Sequence, residues 1–249
     1  MDFRAALLEQ TRAFGELIRS ADPSTPVPTC PEWTLKQLFR HVGRGSRWAA
    51  QIIGERRMTP VDPREVRDGK PPDDPDAAID WLNAGPRAVI AAVDRVGSER
   101  VWTAAGPRPA GWWIRRLLHE AVVHRADAAL AVGADYDVPV EVAADGISEW
   151  IELMSIAAGR AGPPPLDRGR TMHLHATDDG LGPAGEWTVV NAEDGVTWTH
   201  DHGKGDVALR GAVKDLLLAI MRRRSAADAG IEIFGDQAVW EDWLQRTPF

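Results

Sequence analysis

Glu120, His124 and Asp127 have the types and spacing to hold a cation. In the stretch GWWIRRLLHEAVVHRADA, residues 111–128, steps of three and four from Trp113 pass through Leu117, Glu120, His124, Asp127 and on to Ala131. Such steps stay on one side of a helix, so three polar residues share a stripe with bulky apolar ones. A buried carboxylate or imidazole is costly unless it is paired or bound to a metal. Glu120 and His124, four apart, lie about 40° from each other around a helix and can offer an oxygen and a nitrogen to one ion. His119 does not belong to the set. Five residues separate it from His124, a swing of about 140°, and it is expected to face solvent or another helix.

A third donor must come from elsewhere. The segment 35–57 has helical period and one histidine, His41, with Leu38 and Trp48 at helical spacing around it, which suits an inward position. Two histidines and one glutamate, with further positions open to water or ligand, match a catalytic metal site better than a structural one. Zinc leads; ferrous iron, manganese or nickel suit the same donors. Asp127, one turn after His124, is placed to orient its imidazole. Spacing alone leaves a second reading open, in which Glu120 and His124 form an ordinary i,i+4 hydrogen-bonded pair and His41 is a separate core histidine. Trp112 and Trp113 could wall a site here.

Other reactive residues read as structural. Cys30 stands in a proline-rich turn before Trp33 with no adjoining histidine, which favours packing. His173 and His175 alternate along a strand and share a face, which could line a cleft between domains but by pattern is an ordinary strand face. His200 and His202, in the turn THDHGKGD, have weak metal potential and read rather as incidentally exposed.

The elements that must position these residues divide into two groups. Helical period marks 3–20, 35–57 with Thr34 as N-cap, 76–96 with Pro86 inside it, and 111–132. Gly43 and Gly45 weaken the second helix but admit a close neighbour. Proline-dense loops fill 21–33 and 58–75, the latter a long crossover, and 97–111 reads as a further loop. Four helices with one long crossover are a bundle, an architecture that builds metal sites from inward side chains. A fifth helix, 140–159, leads out of it. The proline run at 161–170 marks the expected boundary, giving domains 1–160 and 165–249. Beyond it the period alternates, in short antiparallel strands at 171–177, 185–192, 196–201 and 206–211. A helix over 212–224, a strand at 231–234 and a closing helix over 236–245 follow. The fold class expected is two-domain α+β, a helical bundle followed by a smaller domain of short strands and two helices.

Bulk properties narrow the function. The chain has 249 residues, a formal charge of −8 and one cysteine, with a pI near 5.4. The acidic balance argues against a nucleic-acid partner. The lone Cys30 excludes an internal disulfide and suits a reducing cytoplasm. No apolar run approaches the roughly 20 residues that span a bilayer. Arginine far outnumbers lysine, and alanine, glycine and tryptophan are plentiful, a bias of GC-rich genomes such as actinobacterial ones.

Three motifs, in order along the chain, resemble those of the mycothiol-dependent maleylpyruvate isomerase family of DinB-like metalloenzymes. TCPEWTLKQLFRHVG, 29–43, resembles the family's turn and second helix ending in Leu-x-x-His. LLHEAVVHRADA, 117–128, resembles its Glu-x-x-x-His-Arg-x-Asp segment, and DLLLAIMRRRSAADAGIEIFGDQAVWEDWL, 215–244, its C-terminal Leu-rich helix, arginine turn and Gly-Asp element. The resemblance implies a DinB-like four-helix bundle whose metal ligands are His41, Glu120 and His124, and a C-terminal domain with a functional arginine. Arg222, Arg223 and Arg224 compete for that role, and Arg223 aligns best. Its guanidinium would recognise a carboxylate of the substrate or thiol cosubstrate; by sequence alone it could equally be the solvated end of a helix. The resemblance further implies mycothiol as cosubstrate and a small electrophile as substrate, giving isomerisation or S-transfer. A hydrolase with metal-activated water and a non-catalytic metal- and thiol-binding stress protein are the alternatives. The sequence leaves the oligomeric state open.

Overall fold

The computed structural model describes residues 1–158 and 163–248. The chain forms two compact units, Met1–Tyr136 and Asp137–Phe249.

The first unit is a four-helix bundle of α1 (Phe3–Ile18), α2 (Leu35–Gly54), α3 (Pro75–Val96) and α4 (Trp112–Val132). Side-chain oxygens accept from free N–H groups at the starts of α1 and α3. Asp2 accepts from Arg4 and Ala5, and Asp74 from Ala77. Thr34 is the N-cap of α2 as expected, and Gln37 reaches back to accept its N–H at 2.7 Å. α1 lies against α3 and α4, and α2 against α3 and α4. Phe14, Leu38 and Leu82 are wholly buried between them, each contributing roughly 1.5–3 kcal/mol by burial. α3 comes so near α2 at Gly43 that a Cβ there would meet the Trp81 ring at 2.0 Å. The Arg47 guanidinium, one turn on, lies 4.1 Å over the same ring. The connection from α3 to α4, expected as loop, contains a small hairpin of β1 (Arg100–Val101) and β2 (Arg108–Pro109).

The second unit opens with α5 (Val140–Ala158). The expected boundary at 160–165 leaves this helix with the bundle and falls partly on residues outside those described. In the structure α5 packs on α6 (Val213–Ile220) and on β5 (Gly195–Thr199), so the division falls at Tyr136 instead. Its apolar face is completed by the sheet, where buried Trp187 donates to Ser148 of α5 at 2.9 Å. The sheet has five strands in the order β5-β4-β3-β6-β7, with β3 at Thr171–Ala176, β4 at Glu186–Ala192, β6 at Val207–Gly211 and β7 at Glu232–Gly235. The strands were expected to be antiparallel throughout, but β3 and β6 pair in parallel. In the β3-β4-β5 meander β5 runs in the same direction as β3, and the chain then crosses over to the free edge of β3 without reversing, so β6 enters parallel to β3.

α6 ends four residues before the expected 224. Arg222 adopts φ 60°, and the N–H groups of Arg222 and Arg223 bond back to Ala219 and Leu218 at 2.9 and 2.7 Å, a Schellman stop. α7 (Gln237–Arg246) closes the chain. No helix among the described residues is long and apolar enough to cross a membrane.

Candidate metal centre

Within the bundle, α2 and α4 bring His41, Glu120 and His124 together. Glu120 Oε2 lies 3.3 Å from His124 Nε2 and 3.5 Å from His41 Nε2. The two imidazole rings meet edge to face with centroids 4.9 Å apart, and one ligand atom from each of the three residues falls within 4.8 Å of the others. Three donors around a tetrahedral zinc, with bonds of 2.0–2.1 Å, stand about 3.3–3.4 Å apart. The spacing thus suits such an ion.

Each donor is held by neighbours. His124 is almost wholly buried, and its Nδ1 lies 2.7 Å from Asp127 Oδ2. An ionised carboxylate can only accept, so Nδ1 carries the hydrogen and Nε2 is the atom turned toward Glu120. Asp127, completely buried, also accepts from the Thr29 hydroxyl at 2.6 Å and the Cys30 thiol at 3.5 Å. The loop before α2 is thereby tied to α4. Burial pushes the Glu120 carboxyl up, but the Arg116 charge and hydrogen bonds from His124 and His41 outweigh it and hold it well below the usual carboxylate range. Arg116 binds the other oxygen, Oε1, which leaves Oε2 for the imidazoles. Burial pushes His124 down; hydrogen bonds to Asp127, Cys30 and Glu120, with the Glu120 charge, carry it well above the ordinary imidazole value. A proton is readily held where a metal ion would bind, and the ion would displace it.

Several expected placements are altered. His41 is not inward: the buried face of α2 runs through Leu38, Val42 and Ala49, and the His41 side chain is 44% exposed. It sits at the edge of the seam, its ring 4.9 Å from that of Trp33. His119, expected to face solvent or another helix, is completely buried, because α4 is enclosed on nearly all sides. Cys30, expected only to pack, has His124 and Asp127 as neighbours in space. Arg223 belongs to the second unit, buried in the turn after α6 with Nη1 donating to the Met221 carbonyl at 2.7 Å. Arg222 and Arg224 are exposed.

A cavity of about 220 Å³ opens beside the centre, lined by His41, Glu120 and Arg116 and walled by Trp48, Trp112 and Trp113. Trp112 and Trp113 thus stand where a site wall was expected. Trp48 and Trp113 pack edge to face at 5.4 Å, and their indole N–H groups are held by the Val61 and Trp102 carbonyls. On the other side of His41 a second cavity, of about 320 Å³, is lined by Trp33, Arg40 and Arg44.

Sequence patterning missed one further cluster. Glu186 of β4 is surrounded by His173, His175 and His202, the histidines read as a strand face and an exposed turn. Glu186 carried no signal of its own, because strand register and a loop closure bring the four together.

A family model described as "Mycothiol maleylpyruvate isomerase N-terminal domain" matches residues 4–129. A second, described as "MDMPI C-terminal domain", matches residues 141–242. Among solved structures, a crystal structure of the mycothiol-dependent maleylpyruvate isomerase is similar in fold, with TM-score 0.56 and 18% identity over 90% of this chain and 89% of that one. A point mutant of that enzyme has TM-score 0.57 and 16% identity over the same shares. No curated protein matches the sequence.

Proposed function

The chain belongs to the mycothiol maleylpyruvate isomerase family, and from that premise we propose that it is a metal-dependent enzyme acting on a small electrophile with a low-molecular-weight thiol. The observation that carries this reading is the convergence of His41, Glu120 and His124 at cation spacing beside a tryptophan-walled cavity. Mycothiol is the thiol the family suggests, and a cytoplasmic setting is where such a thiol is kept reduced. A divalent ion held by the three residues, zinc foremost, would supply the positive charge that keeps a thiol ionised at neutral pH.

The remaining work falls to the chain. Asp127 holds His124 in one tautomer and orientation. Arg116 keeps the Glu120 carboxylate charged and in place. The Trp48, Trp112 and Trp113 wall excludes water from the reacting carbon. By the family resemblance Arg223 of the second unit would recognise a carboxylate, which a guanidinium binds with two parallel hydrogen bonds. With a maleyl-type electrophile, the thiolate adds to one alkene carbon as the π pair moves onto the conjugated carbonyl, the resulting single bond rotates, and return of that pair re-forms the alkene as the trans isomer and expels the same thiolate. Protonation of the adduct before expulsion gives an S-conjugate instead.

The test is turnover of maleylpyruvate by metal-loaded protein with and without mycothiol. Thiol-dependent conversion, abolished by a chelator and by His41→Ala, is expected. Conversion at the same rate without thiol would move the assignment to a hydrolase, and binding of metal and thiol without any conversion would remove catalysis from it.

A further inference from the structure

We propose that the C-terminal unit carries a second metal site, in which His173, Glu186 and His202 bind a divalent transition-metal ion of the zinc type. The proposed thiol chemistry uses none of these residues.

Register builds the site's floor. In the antiparallel β3–β4 pair His175 stands opposite Glu186 and His173 opposite Thr188, so the two histidines flank the carboxylate on one face, one directly across and one diagonal. His173 Nε2 lies 2.7 Å from Glu186 Oε2, and His175 Nδ1 lies 2.7 Å from Oε1. His202 arrives from the loop after β5, its Nδ1 3.1 Å from Oε1. That loop is anchored apart from His202: the Thr188 hydroxyl donates to the Asp201 carbonyl at 2.8 Å, and His200 Nδ1 to the Glu186 carbonyl at 2.7 Å. One ligand atom from each of His173, Glu186 and His202 lies within 4.8 Å of the others.

Burial and donor chemistry fit a captured ion. The His173 and Glu186 side chains are 5% and 14% exposed, whereas His202 is 75% exposed. A nearly buried pair with one accessible ligand provides both a desolvated floor and an entry path. Burial pushes the Glu186 carboxyl up, but hydrogen bonds from His202, His175 and His173 outweigh it and keep it below its ordinary value, so it is ionised at neutral pH. Two imidazoles and one carboxylate select zinc, copper or nickel over calcium and magnesium, which prefer oxygen throughout. His175 is a positioning residue, holding Oε1 by its hydrogen bond. An ion here would clamp β3, β4 and the β5–β6 loop together and stabilise the sheet by mass action.

The full untagged chain, stripped with a chelator, is titrated with zinc chloride and read by calorimetry and by metal analysis after desalting. Two equivalents are expected for the native chain and one for His202→Ala, a change at an exposed position whose fold circular dichroism checks. His175→Ala keeps the second equivalent but binds it about 10–100-fold more weakly. A zinc stoichiometry that His202→Ala does not lower overturns the site, whatever the native total. The same comparison in a His41→Ala background reads the C-terminal ion alone, so its outcome is independent of whether thiol-dependent turnover is found.

Discussion

Two regions of this chain each gather histidines around one glutamate, and they do so by opposite means. In the bundle, Glu120 and His124 are one helical turn apart, so local spacing alone puts two donors on one side, and only His41 must be delivered by packing. In the sheet unit, Glu186 is 13 residues from His173 and 16 from His202; strand register and a loop closure do all the gathering. The helical set is held open at 3.3 and 3.5 Å, the separation of donors around an ion, with Arg116 and Asp127 occupying the outer atoms. The sheet set is closed to hydrogen-bond lengths, 2.7 Å between His173 and Glu186, so an ion must replace bonds already made. The helical site should therefore bind zinc more tightly, and it opens onto a tryptophan-walled cavity lined by two of its own donors, His41 and Glu120.

The harshest way to break this comparison is His41→Ala. Loss of a ligand removes several kcal/mol of transition-state stabilisation, so thiol-dependent turnover should fall about a thousandfold. A fall of less than tenfold in steady-state rate would disconnect the cluster from the chemistry. A milder change, Asp127→Asn, keeps the shape but loses the charged acceptor of the His124 Nδ1–H. Zinc affinity at the helical site should drop about 10–100-fold, toward that of the sheet site, in competition titrations with a chromogenic chelator. Unchanged affinity would mean that Asp127 serves only to anchor Thr29 and Cys30.

The scaffolds themselves can be separated. Gly43→Ala drives a methyl group into the Trp81 ring and should cost the bundle about 1–3 kcal/mol, at about 2–4 °C of melting temperature per kcal/mol. An unaltered thermal midpoint would show that α3 can withdraw from α2 freely. The smallest effect is expected in acid. Asp206 at the start of β6 accepts from the Thr171 hydroxyl and N–H and from Arg170. The Thr171 hydroxyl first, then its N–H and the Arg170 contact, hold the carboxyl below its usual 3.8. The contribution of that carboxylate is complete above pH 3.8 and is lost as pH falls through the lower folded value. Asp206→Asn should thus narrow the gap between urea midpoints measured at pH 6 and pH 3. An equal gap in the variant would assign the acid sensitivity to other groups.

What could be read in advance follows the same division. The four bundle helices, the Thr34 cap and the Glu120–His124 pair were legible because helical period and capping are local. His41 does lie beside Glu120 and His124, but not as its neighbours Leu38 and Trp48 suggested, since the ring reaches in from an exposed edge rather than an inward face. For His119 the wheel left solvent and a neighbouring helix both open, and complete burial removes the first of these. α5 carries an amphipathic pattern that says it must be covered, but not whether by bundle or by sheet.

Composition, period and short-range spacing were thus enough for two domains, a helical bundle and a polar seam suited to a cation. They could not reach the parallel β3–β6 pairing, the close approach of Trp81 to Gly43, or the gathering of three histidines around Glu186. Each of those depends on residues distant in the chain meeting at one register, and register is decided by the packing of whole surfaces.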